Sequence, residues 1–317
     1  LLLIVSPILS LLAAILNFSF IKSIKNLNVI IFILCFILSL INLTKIIEGD
    51  LALYLQQFNM ASKYSYLEYL IVNFKDPVYY SFKYFFYNLV SSNFSLFLFF
   101  ITFISYWFLL NSVLNFASIF SIKLTDALLI ILLTAFFPQV FSFSAHLIRQ
   151  FIAISIGFYA LSEFYLNKNK KSLFLLSLSI FIHSSNLIFV VFFLYDFKVK
   201  KAILYSVFLS LIFLLLFSSE FTYIFNGFQR MNTLVSGGVE LDEGSFFVVV
   251  LVSLFVLISI FLNKKFILKQ KKYFFRSNIS LSFLFLFFYF SNNTELSNRI
   301  LPIIYLFWPI TLLLVSE

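Results

Sequence analysis

Long apolar runs separated by short polar stretches organise this chain of 317 residues. Runs long enough to cross a bilayer fall at roughly 1–21, 27–44, 94–118, 124–142, 148–166, 202–219, 245–262, 278–291 and 300–316. About twenty apolar residues of helix match the ~30 Å hydrocarbon core. Strands of a transmembrane barrel would instead show segments of about ten residues alternating apolar and polar. The pattern predicts an all-α polytopic membrane protein with about nine full transmembrane helices. A further run, Ser172 to Tyr195, is also about one span long, but its middle reads His183-Ser184-Ser185-Asn186. Four polar residues at that depth are costly against lipid, so the run reads as a re-entrant or broken helix pair.

Charge placement favours the re-entrant form. If the run enters and returns, all the lysine clusters fall on one side: Lys168, Lys170 and Lys171, then Lys198, Lys200 and Lys201, then Lys264 to Arg276. Fifteen of the 22 basic residues then lie inside and nine of the 13 acidic residues outside, as the positive-inside rule asks. The predicted unit is a single integral membrane domain over 1–317, with outer-face segments at about 45–93 and 220–244. The first carries eight tyrosines between Tyr54 and Tyr87 and reads as amphipathic helices lying in the interface. The second contains Gly237-Gly238 and reads as a flexible loop. No internal repeat of the transporter kind is visible.

Composition sharpens this picture. The chain is 62% hydrophobic and 11% charged, with a mean hydropathy of +1.05, which excludes an ordinary soluble globule. A lone Cys35 and two histidines argue against disulfides and against a thiolate or histidine metal centre. The net charge of +9 reports topology and contact with anionic membrane lipid rather than nucleic acid. The chain begins Leu1-Leu2-Leu3, and its first apolar run is too long for a signal-peptide core.

Few residues offer chemistry. Arg149-Gln150 opens one apolar run, Arg299 another, and Arg230 lies in the acidic loop. A guanidinium suits phosphate and stays charged in low dielectric, although a snorkelling interfacial arginine looks the same in sequence. Asp50 and Tyr54 stand one helical turn apart, and Asp76-Pro77 opens a further helix. Each carboxylate is a candidate general base, and each is equally a candidate N-cap. His183 can line a cavity or simply bond a neighbouring helix.

Taken in order, these landmarks resemble the EpsG family of bacterial exopolysaccharide proteins, relatives of Wzy-type repeat-unit polymerases. The matching pieces are Asp50-x-x-x-Tyr54, Asp76-Pro77-Val78-Tyr79-Tyr80, Arg149-Gln150-Phe151-Ile152-Ala153, Ile182-His183-Ser184-Ser185-Asn186-Leu187-Ile188, and Arg299-Ile300 through Tyr305. Asp76 departs from the pattern, where glutamate is more usual before the proline. The resemblance implies a GT-C-like glycosyltransferase at the outer face of the bacterial cytoplasmic membrane, polymerising polyprenyl-pyrophosphate-linked oligosaccharides into O-antigen, capsule or exopolysaccharide. Under it, Asp50 and His183 are the expected catalytic residues. Arg149, Gln150, Arg299, Arg230, Tyr54 and Asp76 are the expected ligands of pyrophosphate or glycan. It implies no cofactor and no metal, and a chain-length regulator as a partner. Other readings are a different carrier-lipid transferase or ligase, a lipid-linked glycan flippase or transporter, and a membrane acyltransferase.

Overall fold

The computed structural model describes residues 24–73, 76–90, 93–166, 169–194, 282, 300–307 and 309–310. Ten α-helices have defined bounds, and among the described residues there is no strand. They are α1 (Ile24–Leu43), α2 (Asp50–Asn59), α3 (Tyr66–Val72), α4 (Pro77–Leu89), α5 (Phe94–Ile119), α6 (Leu124–Phe136), α7 (Pro138–His146), α8 (Ile148–Tyr165), α9 (Asn169–Ile182) and α10 (Ile188–Leu194). The chain divides into two compact units, Leu1–His183 and Ser184–Glu317.

In the first unit, α5 has 26 residues and spans about 39 Å at 1.5 Å per residue, enough to cross a bilayer. Asn93 starts it by accepting a hydrogen bond from the Leu96 amide at 3.1 Å, satisfying one orphan donor of the first turn. α1 packs against α5 through a stripe at helical spacing, Leu27, Ile31, Leu34, Cys35 and Leu38, all buried. Its opposite face, with Val29, Phe32, Ile33, Phe36 and Leu40, is apolar and exposed, as a lipid-facing surface is.

The run expected at 124–142 is a broken element, with α6 and α7 meeting at 48°. Phe137 is extended there (φ −64°, ψ 121°) because the ring of Pro138 disfavours a helical residue before it. Ser144 on α7 then accepts from Asn42 of α1 at 3.2 Å and from Tyr106 of α5 at 3.3 Å.

α8 is the centre of the unit, buried on nearly every side and packed by α5, α7 and α9. Its two charged residues lie near its ends, Arg149 at the start and Glu163 at the finish. Glu163 accepts from Asn115 of α5 and pairs with Lys171 of α9 at 3.1 Å, tying three helices together. The expected outer segment over 45–93 forms three short helices, α2 to α4, with a 3₁₀ turn at Met60–Ser62 between α2 and α3. Leu53, Leu67, Ile71, Val72, Phe85 and Leu89 stay exposed on them, which suits helices lying in an interface.

The run Ser172–Tyr195 is interrupted where its polar centre falls: α9 ends at Ile182 in the first unit, and a 3₁₀ turn at Ser184–Leu187 leads into α10 in the second. Residues 300–307 and 309–310 are helical and buried. The spans expected at 1–21, 202–219, 245–262 and 278–291 lie outside the described residues, apart from Ser282.

A candidate anion site at the head of α8

Arg149 is the second residue of α8. A cation there opposes the helix macrodipole, whose N-terminal end is positive, so helix stability does not account for it. Its Nη1 lies 2.8 Å from Asp76 Oδ2 and donates to the Tyr80 hydroxyl at 3.2 Å. The Asp76 side chain is fully buried, whereas the Arg149 side chain keeps 23% of its surface exposed. Asp76 occupies the N-cap position of α4 with Pro77 after it, but its carboxylate makes no cap bond. The carboxylate reaches Arg149 rather than the first amides of α4.

Asp76, Tyr79, Tyr80 and Lys83 follow at i, i+3, i+4 and i+7, and so share one face of α4. Lys83 is completely buried. Its Nζ donates to Gln57 Oε1 at 3.1 Å and sits over the rings of Tyr79, Tyr80 and Tyr54 at 4.9, 5.1 and 5.3 Å. These faces attract a cation through the ring quadrupole. Gln57 ties α2 to α3 and α4: Oε1 also accepts from Tyr80 at 3.4 Å, and its backbone oxygen accepts from Tyr69 at 2.9 Å. Burial, reinforced by nearby Arg149, pushes the Lys83 amine well below the usual lysine range. Burial raises the Tyr79 phenol, and burial also raises Tyr54, although Arg149 works the other way on both.

Of the residues expected from sequence, Tyr54, Asp76 and Arg149 therefore come together. Asp50 lies in the first turn of α2, exposed, one turn before Tyr54 and electrostatically coupled to it. Gln150 follows Arg149 and is nearly buried. His183 is 6% exposed, and its backbone amide closes the last turn of α9 on Ser179. Lys171 of α9 meets both Tyr159 and Glu163 of α8, which sets the antiparallel register of this short-looped pair. Running equally far along both helices from that contact brings Ile182 to the level of the first turn of α8, so His183 ends α9 near the height of Arg149. In the second unit, Asn186 is fully buried, and neither atom of its amide has a hydrogen-bond partner. Arg230 and Arg299 lie outside the described residues.

Lys83 and Gln57 were missed by motif reading. The signal was present in the i, i+3, i+4, i+7 spacing that puts a lysine on the stripe of Tyr79, Tyr80 and Phe86. Glu68, without context in sequence, closes a capping box by accepting from the Ser65 amide at 2.9 Å. Among the described residues, no three His, Cys, Asp or Glu side chains gather to hold a metal ion.

Arg149, the buried Lys83 amine and buried Asp76, set among tyrosines beside apolar helices, form a polar cluster at the head of α8 in a helical membrane protein. The chain belongs to the EpsG family, whose pattern matches residues 27–316. That membership places it among exopolysaccharide-related membrane proteins. No curated protein and no solved structure matches it.

Proposed function

We propose that this protein polymerises polyprenyl-pyrophosphate-linked oligosaccharide repeat units at the outer face of the bacterial cytoplasmic membrane. The observation that carries the reading is the part-exposed Arg149 guanidinium, held by buried Asp76 beside the buried Lys83 amine and its three tyrosines. A hydroxyl of the acceptor unit attacks the anomeric carbon that joins the growing glycan to its carrier. The new glycosidic C–O bond forms, the C–O bond to pyrophosphate breaks, and the carrier diphosphate leaves with both bonding electrons. Arg149 binds that diphosphate and stabilises the charge it gains in leaving. Asp50, exposed beside Tyr54, takes the hydroxyl proton. Asp76 and Tyr80 position Arg149 rather than touch substrate. His183 and Gln150 contact the carrier diphosphate or glycan, and Arg299 and Arg230 add charge toward it. A separate chain-length regulator would set when the polymer is released.

A profile of surface glycan and carrier-lipid intermediates in a deletion strain tests this reading. Loss of the ladder with single repeat units still assembled and exported supports polymerisation. Complete units trapped on the inner leaflet would mean a flippase instead, and incomplete units a single-sugar transferase.

A further inference from the structure

Lys83 is placed as no structural lysine needs to be. Its ammonium would carry three donors, yet the cage supplies one oxygen acceptor, Gln57 Oε1, and three ring faces. No carboxylate of the described residues pairs with it, although α4 is capped by Asp76 less than two turns away. That carboxylate is taken by Arg149. Lys83 connects to Arg149 through Gln57 and Tyr80, so the two cations stand no more than three hydrogen-bond lengths apart. A buried amine with a guanidinium for a neighbour loses its proton easily, and an anion arriving at that guanidinium reverses the balance.

We infer that Lys83 is the proton-coupled half of a two-cation diphosphate site: it is neutral while the site is empty and takes up a proton when the carrier diphosphate binds at Arg149. The inference rests on the diphosphate reading above and adds the mechanism by which a buried site tolerates both its empty and its loaded state. In the empty site a charged Lys83 beside the Arg149–Asp76 pair is an uncompensated cation, costly in low dielectric; in the loaded site Arg149 alone leaves a diphosphate diester under-neutralised. One titrating amine answers both.

The groups facing Lys83 are consistent with this assignment. From its own helix come Tyr79 and Tyr80, from α2 Tyr54 with Asp50 a turn beyond, from α3 Tyr69, and from α8 Arg149. α5 presents Phe97 to α4, and α9, which also packs on α4, carries Lys170 and Lys171 at its start, with His183 just past its end. Arg149 keeps its proton at all accessible pH. Burial holds the Tyr79 and Tyr69 phenols protonated.

Calorimetry of the full detergent-solubilised protein tests it, with farnesyl diphospho-N-acetylglucosamine as the probe. That diphosphate diester has no proton to exchange near neutral pH, so any proton taken up belongs to the protein. Binding heats measured in buffers of different ionisation enthalpy are expected to show a net uptake approaching about one proton per molecule bound, with affinity falling up to about tenfold per pH unit. Lys83→Met removes the titrating amine and is expected to bind more weakly, without proton uptake and without that pH dependence. Lys83→Arg, permanently charged, is expected to bind with no uptake either. Binding by the wild type with no proton uptake overturns the inference even if neither variant folds, and so does uptake that persists in Lys83→Met, which would assign the proton to Asp76 or His183. Failure of the wild type to bind the probe at all would overturn the diphosphate reading, and this inference with it.

Discussion

Asp76 and Arg149 are the clearest case of a pair whose two members are not equivalent. Asp76 has no exposed surface and Arg149 keeps 23% of its side chain exposed. Arg149→Ala removes the cation 2.8 Å from a fully buried carboxylate, and is expected to cost about 3–5 kcal/mol. Asp76→Asn leaves a guanidinium that still reaches the surface and the Tyr80 hydroxyl, so the expected loss is smaller, about 1–3 kcal/mol. The double variant is expected to be more stable than Arg149→Ala alone, yet just as inactive in making polymer. Thermal melts in detergent beside glycan ladders check both halves; a double variant that melts below Arg149→Ala would refute the pairing. A second residue-scale prediction concerns Lys45, whose amine lies 4.5 Å over the Phe141 ring. Burial lowers its pKa from the ordinary 10.5 to about 8. The folded protein therefore holds this proton less tightly than the unfolded chain, and Lys45's contribution to stability rises as pH rises from about 8 to 10.5. Competitive acetylation read by mass spectrometry is expected to give Lys45 a midpoint near pH 8; a midpoint in the usual lysine range would dismiss the shift.

At the scale of elements, the first unit is held by small polar clasps between otherwise apolar helices. Asn42 of α1 donates to Thr102 of α5 and to Ser144 of α7, each at 3.2 Å. Its Oδ1 is buried without a hydrogen-bond partner, which subtracts from the gain. Asn42→Leu is therefore expected to destabilise by only about 1 kcal/mol, in line with hydrogen bonds between membrane helices generally. Ser144→Ala should show coupling to it in a double-mutant cycle, because the two residues share one bond; strict additivity would mean that the clasp carries no energy. These clasps were invisible in sequence, where Asn42, Thr102 and Ser144 are lone polar residues in apolar runs. The helices themselves were legible, since α1, α5 and α8 follow uninterrupted apolar runs to within a few residues. The break before α10 was legible for the same reason, four polar residues where apolar ones were due. The break at Phe137 was passed over although Pro138 marked it, because a proline inside a run of nearly constant hydropathy alters the backbone and not the hydropathy. The candidate site was half legible. Arg149 and Asp76 stand out as charges at helix starts, whereas Lys83 required a helical projection of an interfacial segment, and its cage depends on how α2 packs against α4.

For the whole molecule, the central expectation is the side of the membrane on which each loop lies, because it decides which arginines can join Arg149. If the run through His183 enters and returns, Arg230 and the start of the last apolar run, with Arg299, fall on the same outer side as Asp50 and Asp76. If it crosses once, Arg230 moves to the cytoplasmic side and the lysines from 264 to 276 face out, against the positive-inside rule. The chain lends itself to a direct test, since its single cysteine, Cys35, is buried in α1. In a Cys35→Ala background, Lys63→Cys is expected to react with a membrane-impermeant maleimide in intact spheroplasts. Lys170→Cys and Lys200→Cys are expected to react only after permeabilisation, and Asn232→Cys to react without it. Reaction of Lys200→Cys from outside, with Lys170→Cys protected, would sink the re-entrant arrangement. Arg230 would then leave the proposed site, and the diphosphate would depend on Arg149 and Lys83 for its cations. Glycan ladders from Arg230→Ala should follow the same division: polymer made in smaller amount or shorter length if the loop lies outside, and polymer unchanged if it lies inside.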